Sequence, residues 1–281
     1  MDTIKRKQVS EKIVKIISYL ILIVGVLWVI MPFIWMILTA LKPAKEVLSM
    51  PPKWIPSQWQ WENFSEALKS VPFRTYLFNS LFVAVCVTLG EVFTTILAAY
   101  AFVYIPFKFK NTIFMIMVAT MMVPSDILMI PNYITLSNLG WINSYKALIL
   151  PWCASIFSIF LLRQQFSTVP LSYYKSAKID GCSDFIYLFT ILVPISMPTI
   201  VSIAILKFIS CWNSYMWPLI VTNTKEMRTL PVALAVFSTE AGTRYHILMA
   251  FSIMMVAPII IIYLFTQKYV IRGVSKSGLK G

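Results

Sequence analysis

Charge is scarce in this chain. Of its 281 residues 12% are Asp, Glu, Lys or Arg, 59% are hydrophobic, and the mean hydropathy is +0.78. A soluble fold must cover its core with polar surface, and this composition cannot supply that surface, so an integral membrane protein is expected. Acids are scarcer still, 11 against 24 basic residues, for a net charge of +13. A nucleic-acid binder would gather those bases on one helix face among aromatics; here they are spread over tails and loops, as in a membrane topology signal. The eight glycines nowhere form G-x-x-x-x-G-K-[ST], and the nearest run, Gly273 to Gly278, has the wrong spacing, so the chain carries no phosphate-cradling loop. Cys86, Cys153, Cys182 and Cys211 include no C-x-x-C pair, which argues against a zinc site or a disulfide framework and leaves them as packing residues. Glu91, Asp126 and the single histidine, His246, fall on three separate elements with no ligand spacing, so neither a metal site nor a membrane-embedded enzyme is expected. His246, at a span boundary, reads as a local hydrogen-bonding residue.

What the chain has instead is long apolar runs. A basic tail, residues 1–15, precedes Ile16 to Leu41, which exceeds the roughly 20 residues that cross a bilayer at about 1.5 Å per residue. This run is too long for a signal-peptide core and lacks a small-residue cleavage site, so it reads as a retained first span, kinked at Pro32. A polar, proline-bearing loop to Tyr76 carries Trp54, Trp59 and Trp61, which suit either the headgroup level or a sugar-stacking platform. Span two, Leu77 to Tyr104, holds Glu91 near its middle; an unpaired carboxylate there is costly, so it must line a solute path or bond across helices. Span three, Thr112 to about Ile130, is broken by Pro124, and span four runs from Ala147 to Leu162.

Span five, from Phe185 to roughly Val221, is longer than one crossing requires; Pro194 and Pro198 should bend its inner end and Pro218 its outer end. Its distal part, Lys207 to Pro218, contains Lys207, Trp212, Asn213, Tyr215 and Trp217. Aromatic faces beside an amide suit a sugar, whose C–H patches stack on rings and whose hydroxyls meet the amide, while an interfacial aromatic belt uses the same residues. Span six runs from His246 to near Val270, and a basic tail, residues 271–281, follows. Six spans place both ends on one side. The segments on that side hold 14 basic residues and the opposite loops nine, which makes it the cytoplasmic side.

Between spans four and five lies a polar island, residues 170–184 (PLSYYKSAKIDGCSD). Pro170 opens a helix, Asp180-Gly181 interrupts it, and Asp180, Ser183 or Asp184 can cap the next one, which reads as helix, turn, helix. Here the sequence resembles the EAA loop of the permease subunits of binding-protein-dependent ABC importers. That family's E-A-A, D-G-A-S and P-x-x-x-P pattern appears as Lys175-Ser176-Ala177, Asp180-Gly181-Cys182-Ser183, and Pro194 with Pro198, with lysine in place of the leading glutamate.

The resemblance continues through the W-N-x-x-x-W-P segment, the external RTLPVALAVF stretch and the basic, glycine-terminated tail. It is nearest to the carbohydrate importers of the maltose type. It implies an all-α membrane permease of six transmembrane helices, not an enzyme, whose cytoplasmic hairpin docks in an ATPase subunit through Lys175, Ser176, Ala177, Asp180, Gly181, Cys182 and Ser183. It also implies a tail contact with the ATPase at Ser277, Gly278, Lys280 and Gly281, and a substrate path for which Glu91, Trp212, Asn213, Tyr215 and Trp217 are candidates. The implied partners are a second permease subunit, an ATPase dimer that binds ATP and Mg, an external solute-binding protein, and an oligosaccharide or similar solute; no cofactor is expected on this chain. A passive channel or facilitator for polar solutes is the alternative, and it would need no coupling hairpin.

Overall fold

The computed structural model of the protein describes residues 2–239 and 242–275. Thirteen α-helices occur among them: α1 Asp2–Ala40, α2 Ala44–Val47, α3 Glu62–Ser70, α4 Phe73–Tyr104, α5 Lys110–Thr120, α6 Met129–Asn138, α7 Tyr145–Ile149, α8 Ile156–Ser167, α9 Leu171–Ile179, α10 Asp184–Ile186, α11 Val193–Trp212, α12 Met216–Val221 and α13 Tyr245–Ser275. A two-stranded hairpin, β1 Ser238–Thr239 with β2 Gly242–Thr243, precedes α13. Five helical stretches among the described residues are long and apolar enough to cross a membrane, and a sixth results if α5 and the following 125–138 segment, bent by 90°, count as one span.

The chain divides into two compact units. The smaller comprises residues 1–71 and 234–256. In it the long apolar helix α1 is followed by a tied loop. Asn63 donates from Nδ2 to the carbonyls of Ala40 (2.8 Å) and Lys42 (3.1 Å), occupying acceptors that the end of α1 leaves open. Lys42 is buried with its ammonium 4.1 Å from the Trp35 ring centre, and burial lowers its pKa from the ordinary lysine value. Glu46 accepts from the Ser57 hydroxyl, the Ser57 N–H and Lys53, and these hydrogen bonds, those from Ser57 foremost, hold its carboxyl below the ordinary glutamate pKa. The indoles of Trp54, Trp59 and Trp61 are half exposed or more.

The larger unit, among the described residues, comprises 72–233 and 257–275. Its centre is α4, against which α8 and α11 pack. The reason is visible in the spacing: Val83, Val87, Glu91, Thr95 and Ala99 recur every four residues, fall on one stripe and are buried. Small side chains on that stripe allow close helix approach, which is what drives association in lipid. Gly90 does the same for the segment before α8, since a Cβ there would meet Cys153 Sγ at 2.7 Å. Lys110 closes the end of α4 by donating to the carbonyls of Val103 (2.9 Å) and Ile105 (3.2 Å).

Four of the expected spans differ in detail; the fourth, expected over Ala147 to Leu162, is α7, a 3₁₀ turn at Leu150–Trp152 and then α8, which runs on to Ser167. The first and sixth are longer helices than expected, Asp2–Ala40 and Tyr245–Ser275, so helix continues into both segments expected to be tails. The fifth is not one helix to Val221. It begins at α10, passes through a π-helical turn at Tyr187–Leu192 just before Pro194, continues as α11 and stops at Trp212; α12 is separate. Pro218 explains that break, because its ring would clash with a helical carbonyl four residues back and it cannot donate an N–H there. Pro124 breaks span three as expected, followed by a 3₁₀ turn at Ser125–Leu128.

Candidate functional site: a helical hairpin and a cavity at membrane depth

The hairpin 170–184 is built as its residues dictate. After α9 the chain turns through Gly181 at φ +76°, a left-handed conformation that a Cβ disfavours. Around that turn Cys182 N–H reaches Ala177 C=O (2.9 Å) and Gly181 N–H reaches Lys178 C=O (3.1 Å), the pair of bonds of a Schellman motif. Of the three candidate caps, Ser183 starts α10, its hydroxyl accepting from Ile186 N–H at 3.3 Å. Asp180 instead ends α9, and Asp184 does something else.

Asp184, read from the sequence as a possible cap, makes longer-range contacts instead. A single carboxylate oxygen, Oδ1, accepts from the Tyr100 hydroxyl (2.6 Å) and the Tyr174 hydroxyl (2.9 Å) and meets Lys178 Nζ at 3.0 Å. Tyr100 belongs to α4; Tyr174 and Lys178 belong to α9. Tyr104 stacks on Tyr100 (ring centres 5.2 Å) and also meets Tyr174 (5.0 Å) and Tyr187 (5.5 Å). Four phenol rings and one carboxylate thus lock the hairpin to the end of the longest helix of this unit. The hydrogen bond to Asp184 raises the Lys178 pKa, and desolvation, ahead of the Asp184 contact, raises that of Tyr174. On α9 Leu171, Lys175 and Ile179 form one exposed stripe on the side away from the buried Ala177, and Tyr173 and Ser176 are exposed as well.

The second feature lies along α4, α8 and α11. Glu91 is buried, takes a 2.6 Å hydrogen bond from the Ser158 hydroxyl on Oε1, and has Lys207 Nζ 2.6 Å from Oε2 in a close ion pair. A carboxylate and an ammonium at this depth neutralise each other, the arrangement that makes either one tolerable there. Three adjoining cavities lie in this region, two of them bordered by a member of the pair. One of 310 Å³ is lined by Glu91, Ser155, Ser158, Lys207 and Ser210. One of 220 Å³ is lined by Ser80, Trp152, Lys207, Ser210, Ser214 and Trp217 among others. A third, of 290 Å³, shares Trp152, Ser210, Ser214 and Trp217 and adds Asp126, Asn132 and Tyr215. Ser210 borders all three and Lys207 two, so they form compartments of one polar cleft with aromatic walls.

Of the five path candidates, the structure brings Glu91, Tyr215 and Trp217 to this cleft. Trp212 is packed in the interior, stacked on Phe208 at 6.0 Å, and Asn213 is exposed after the last turn of α11; neither lines the three cavities. Trp217 donates its indole N–H to the Ala147 carbonyl (3.0 Å) and meets Trp152 edge-on at 5.7 Å, so its ring position is set. Lys207, Trp152 and the serines were not among the candidates. The loop beyond α12 is also held: Asn79 donates to the carbonyls of Glu226 (2.7 Å) and Arg228 (2.9 Å), and the Ser80 hydroxyl accepts from Leu230 N–H (2.7 Å). The tail candidates Ser277, Gly278, Lys280 and Gly281 lie outside the described residues.

A helical membrane protein with broken spans, a polar cleft at depth and a stiff hairpin tied to its main span is a solute permease in design. Residues 91–276 match the family described as binding-protein-dependent transport system inner membrane component. Over 254 residues the chain is 34% identical to the arabinooligosaccharides transport system permease protein AraQ of Bacillus subtilis, covering 89% of this chain and 90% of that one. It is 30% identical over 273 residues to the sn-glycerol-3-phosphate transport system permease protein UgpE of Rhizobium meliloti, covering 94% and 97%. Its fold matches, with a TM-score of 0.80 at 22% identity and over 92% of this chain and 97% of the other, a crystal structure of a bacterial ABC transporter involved in the import of the acidic polysaccharide alginate. The chain belongs to the family of binding-protein-dependent inner-membrane transport components and is a membrane permease.

Proposed function

We propose that this permease forms one half of the translocation pathway of an ATP-driven saccharide importer, with a second homologous permease supplying the other half. An ATPase dimer in the cytoplasm binds and hydrolyses ATP with Mg, and an external solute-binding protein delivers the cargo. Both chain ends and the 170–184 hairpin face the cytoplasm in this reading. Lys175, Ser176, Ala177, Asp180, Gly181, Cys182 and Ser183 form the docking hairpin, and the tail at Ser277, Gly278, Lys280 and Gly281 adds a further contact with the ATPase. Glu91, Tyr215 and Trp217 border the path of the cargo.

The observation that carries this reading is the hairpin: α9 exposes Leu171, Lys175 and Ile179 on one stripe, while Tyr174 and Lys178, off that stripe, hold it through Asp184, which also bonds Tyr100 of α4. An element gripped on one face and rigidly connected on the other passes a push to the span that borders the cleft. A passive facilitator has no use for that construction. The test is reconstitution of the chain with its co-purifying subunits and binding protein in proteoliposomes. Saccharide uptake that requires internal ATP and hydrolysis supports the importer. Uptake that persists unchanged without nucleotide identifies a facilitator.

A further inference from the structure

Relatives named for a neutral oligosaccharide and for an anionic glycerol phosphate are almost equally similar to this chain, so similarity leaves the charge of the cargo open. The cleft speaks to it. From the geometry we infer that Glu91 acts as a neutraliser of Lys207, so that this half of the path accepts uncharged polyhydroxylated solutes and rejects phosphorylated or carboxylated ones. The inference rests on the reading of the chain as a saccharide permease.

Lys207 is the single cation on the walls of the three cavities, borders two of them, and would otherwise be a ready anion site. Its charge is already met by the Glu91 carboxylate at 2.6 Å, and Glu91 is oriented for it by the Ser158 hydroxyl on the other oxygen. The remaining charged residue of the walls is an acid, Asp126. An incoming phosphate or uronate would therefore find a cation shared with a fixed carboxylate, and a second carboxylate on the wall of the adjoining compartment, and would lose its hydration without a free partner. A neutral sugar finds what it needs: the hydroxyls of Ser80, Ser155, Ser210 and Ser214 to bond, and the rings of Trp152 and Trp217 to stack against. Glu91 touches no cargo in this scheme; it is a specificity-determining residue acting through Lys207.

The experiment uses the purified complex in detergent without its binding protein, so that recognition by the membrane part alone is read, and follows quenching of tryptophan fluorescence. The probes are maltotriose and trigalacturonate, similar in size, the first uncharged and the second anionic. Trp152→Phe and Trp217→Phe identify the signal from the cleft. Wild type should bind maltotriose at least about tenfold more tightly than trigalacturonate, a gap of roughly 1.4 kcal/mol. Glu91→Gln frees the Lys207 charge and should close or reverse that ratio. Glu91→Gln with Lys207→Gln, which leaves no uncompensated cation, should restore it and serves as the control for folding. Equal or tighter binding of trigalacturonate by wild type, or an unchanged ratio in Glu91→Gln, overturns the charge assignment and leaves the importer reading standing. A cleft that binds neither probe overturns it as well, placing recognition in the other subunits. The importer reading fails separately, if ATP-dependent saccharide uptake is untouched when the chain is deleted.

Discussion

Two carboxylates of the larger unit, Asp184 and Glu91, each join α4 to another part of the chain, and each is paired with a lysine. Asp184 sits at the end of the bundle with half of its side chain exposed and collects two phenols and Lys178 on one oxygen. Glu91 sits at membrane depth, 2% exposed, and is divided between Ser158 and Lys207. The same chemistry has different consequences in the two places. Water screens the contacts of Asp184, so its value lies in direction: it fixes where the hairpin points. Glu91 is screened far less, so removing either partner strands a charge in a low dielectric.

That comparison can be broken at the buried pair, where the largest effect is expected. Glu91→Ala or Lys207→Met alone should destabilise the folded chain by about 3–5 kcal/mol, whereas replacing both with apolar residues of similar volume should cost far less. Thermal unfolding of the detergent-purified protein, arranged as a double-mutant cycle, reads the difference. Equal and additive losses would mean that the two groups do not depend on each other.

Next in size is the turn. Gly181→Val forces a β-branched residue to φ +76°, at a cost of about 1–2 kcal/mol. The strain falls on the hairpin, so the protein should still insert while ATP hydrolysis by the complex loses its link to uptake. The measurement is the ratio of solute transported to ATP consumed, and a wild-type ratio would remove the turn from the mechanism.

Smaller still is the exposed hub. Asp184→Asn should cost no more than about 1 kcal/mol after screening, yet lower the same transport-to-ATP ratio by loosening α9 from α4. Lys178→Met should change that ratio less than Asp184→Asn, because the two tyrosine bonds survive. The sign of its pH dependence follows from the raised Lys178 pKa: the pairing is fully present below the ordinary value of 10.5 and fades as pH climbs past the raised one.

How far these features could be read from the sequence differs between the two regions. The hairpin was legible almost to the residue, because helix ends are governed by local chemistry: Pro170, Gly181 and Ser183 act within a few positions of themselves. The bond from α4 to Asp184 was not, since Tyr100 lies 84 residues away and capping offered a nearer use for the acid. A signal existed in Tyr100 and Tyr104, four apart on one helix face, with no apolar reason for two hydroxyls there. Glu91 shows the converse. Its depth made a partner necessary, but the identity of that partner, Lys207, depends on how α11 packs on α4. In the W-N segment the residue types were right for a sugar path, and the break before Pro218 redistributed them: Trp217 went to the cleft, Trp212 to the interior and Asn213 to the surface.

The claim on which the mechanism depends is that the hairpin is grasped from inside the cell. Lys175→Cys in a background otherwise free of cysteine presents an exposed thiol on the free face of α9, and a membrane-impermeant maleimide tests its side in right-side-out and inverted vesicles. The account predicts labelling only in inverted vesicles, and protection when the ATPase subunits are bound. Labelling from the outer face, or equal labelling with and without the ATPase, would contradict it.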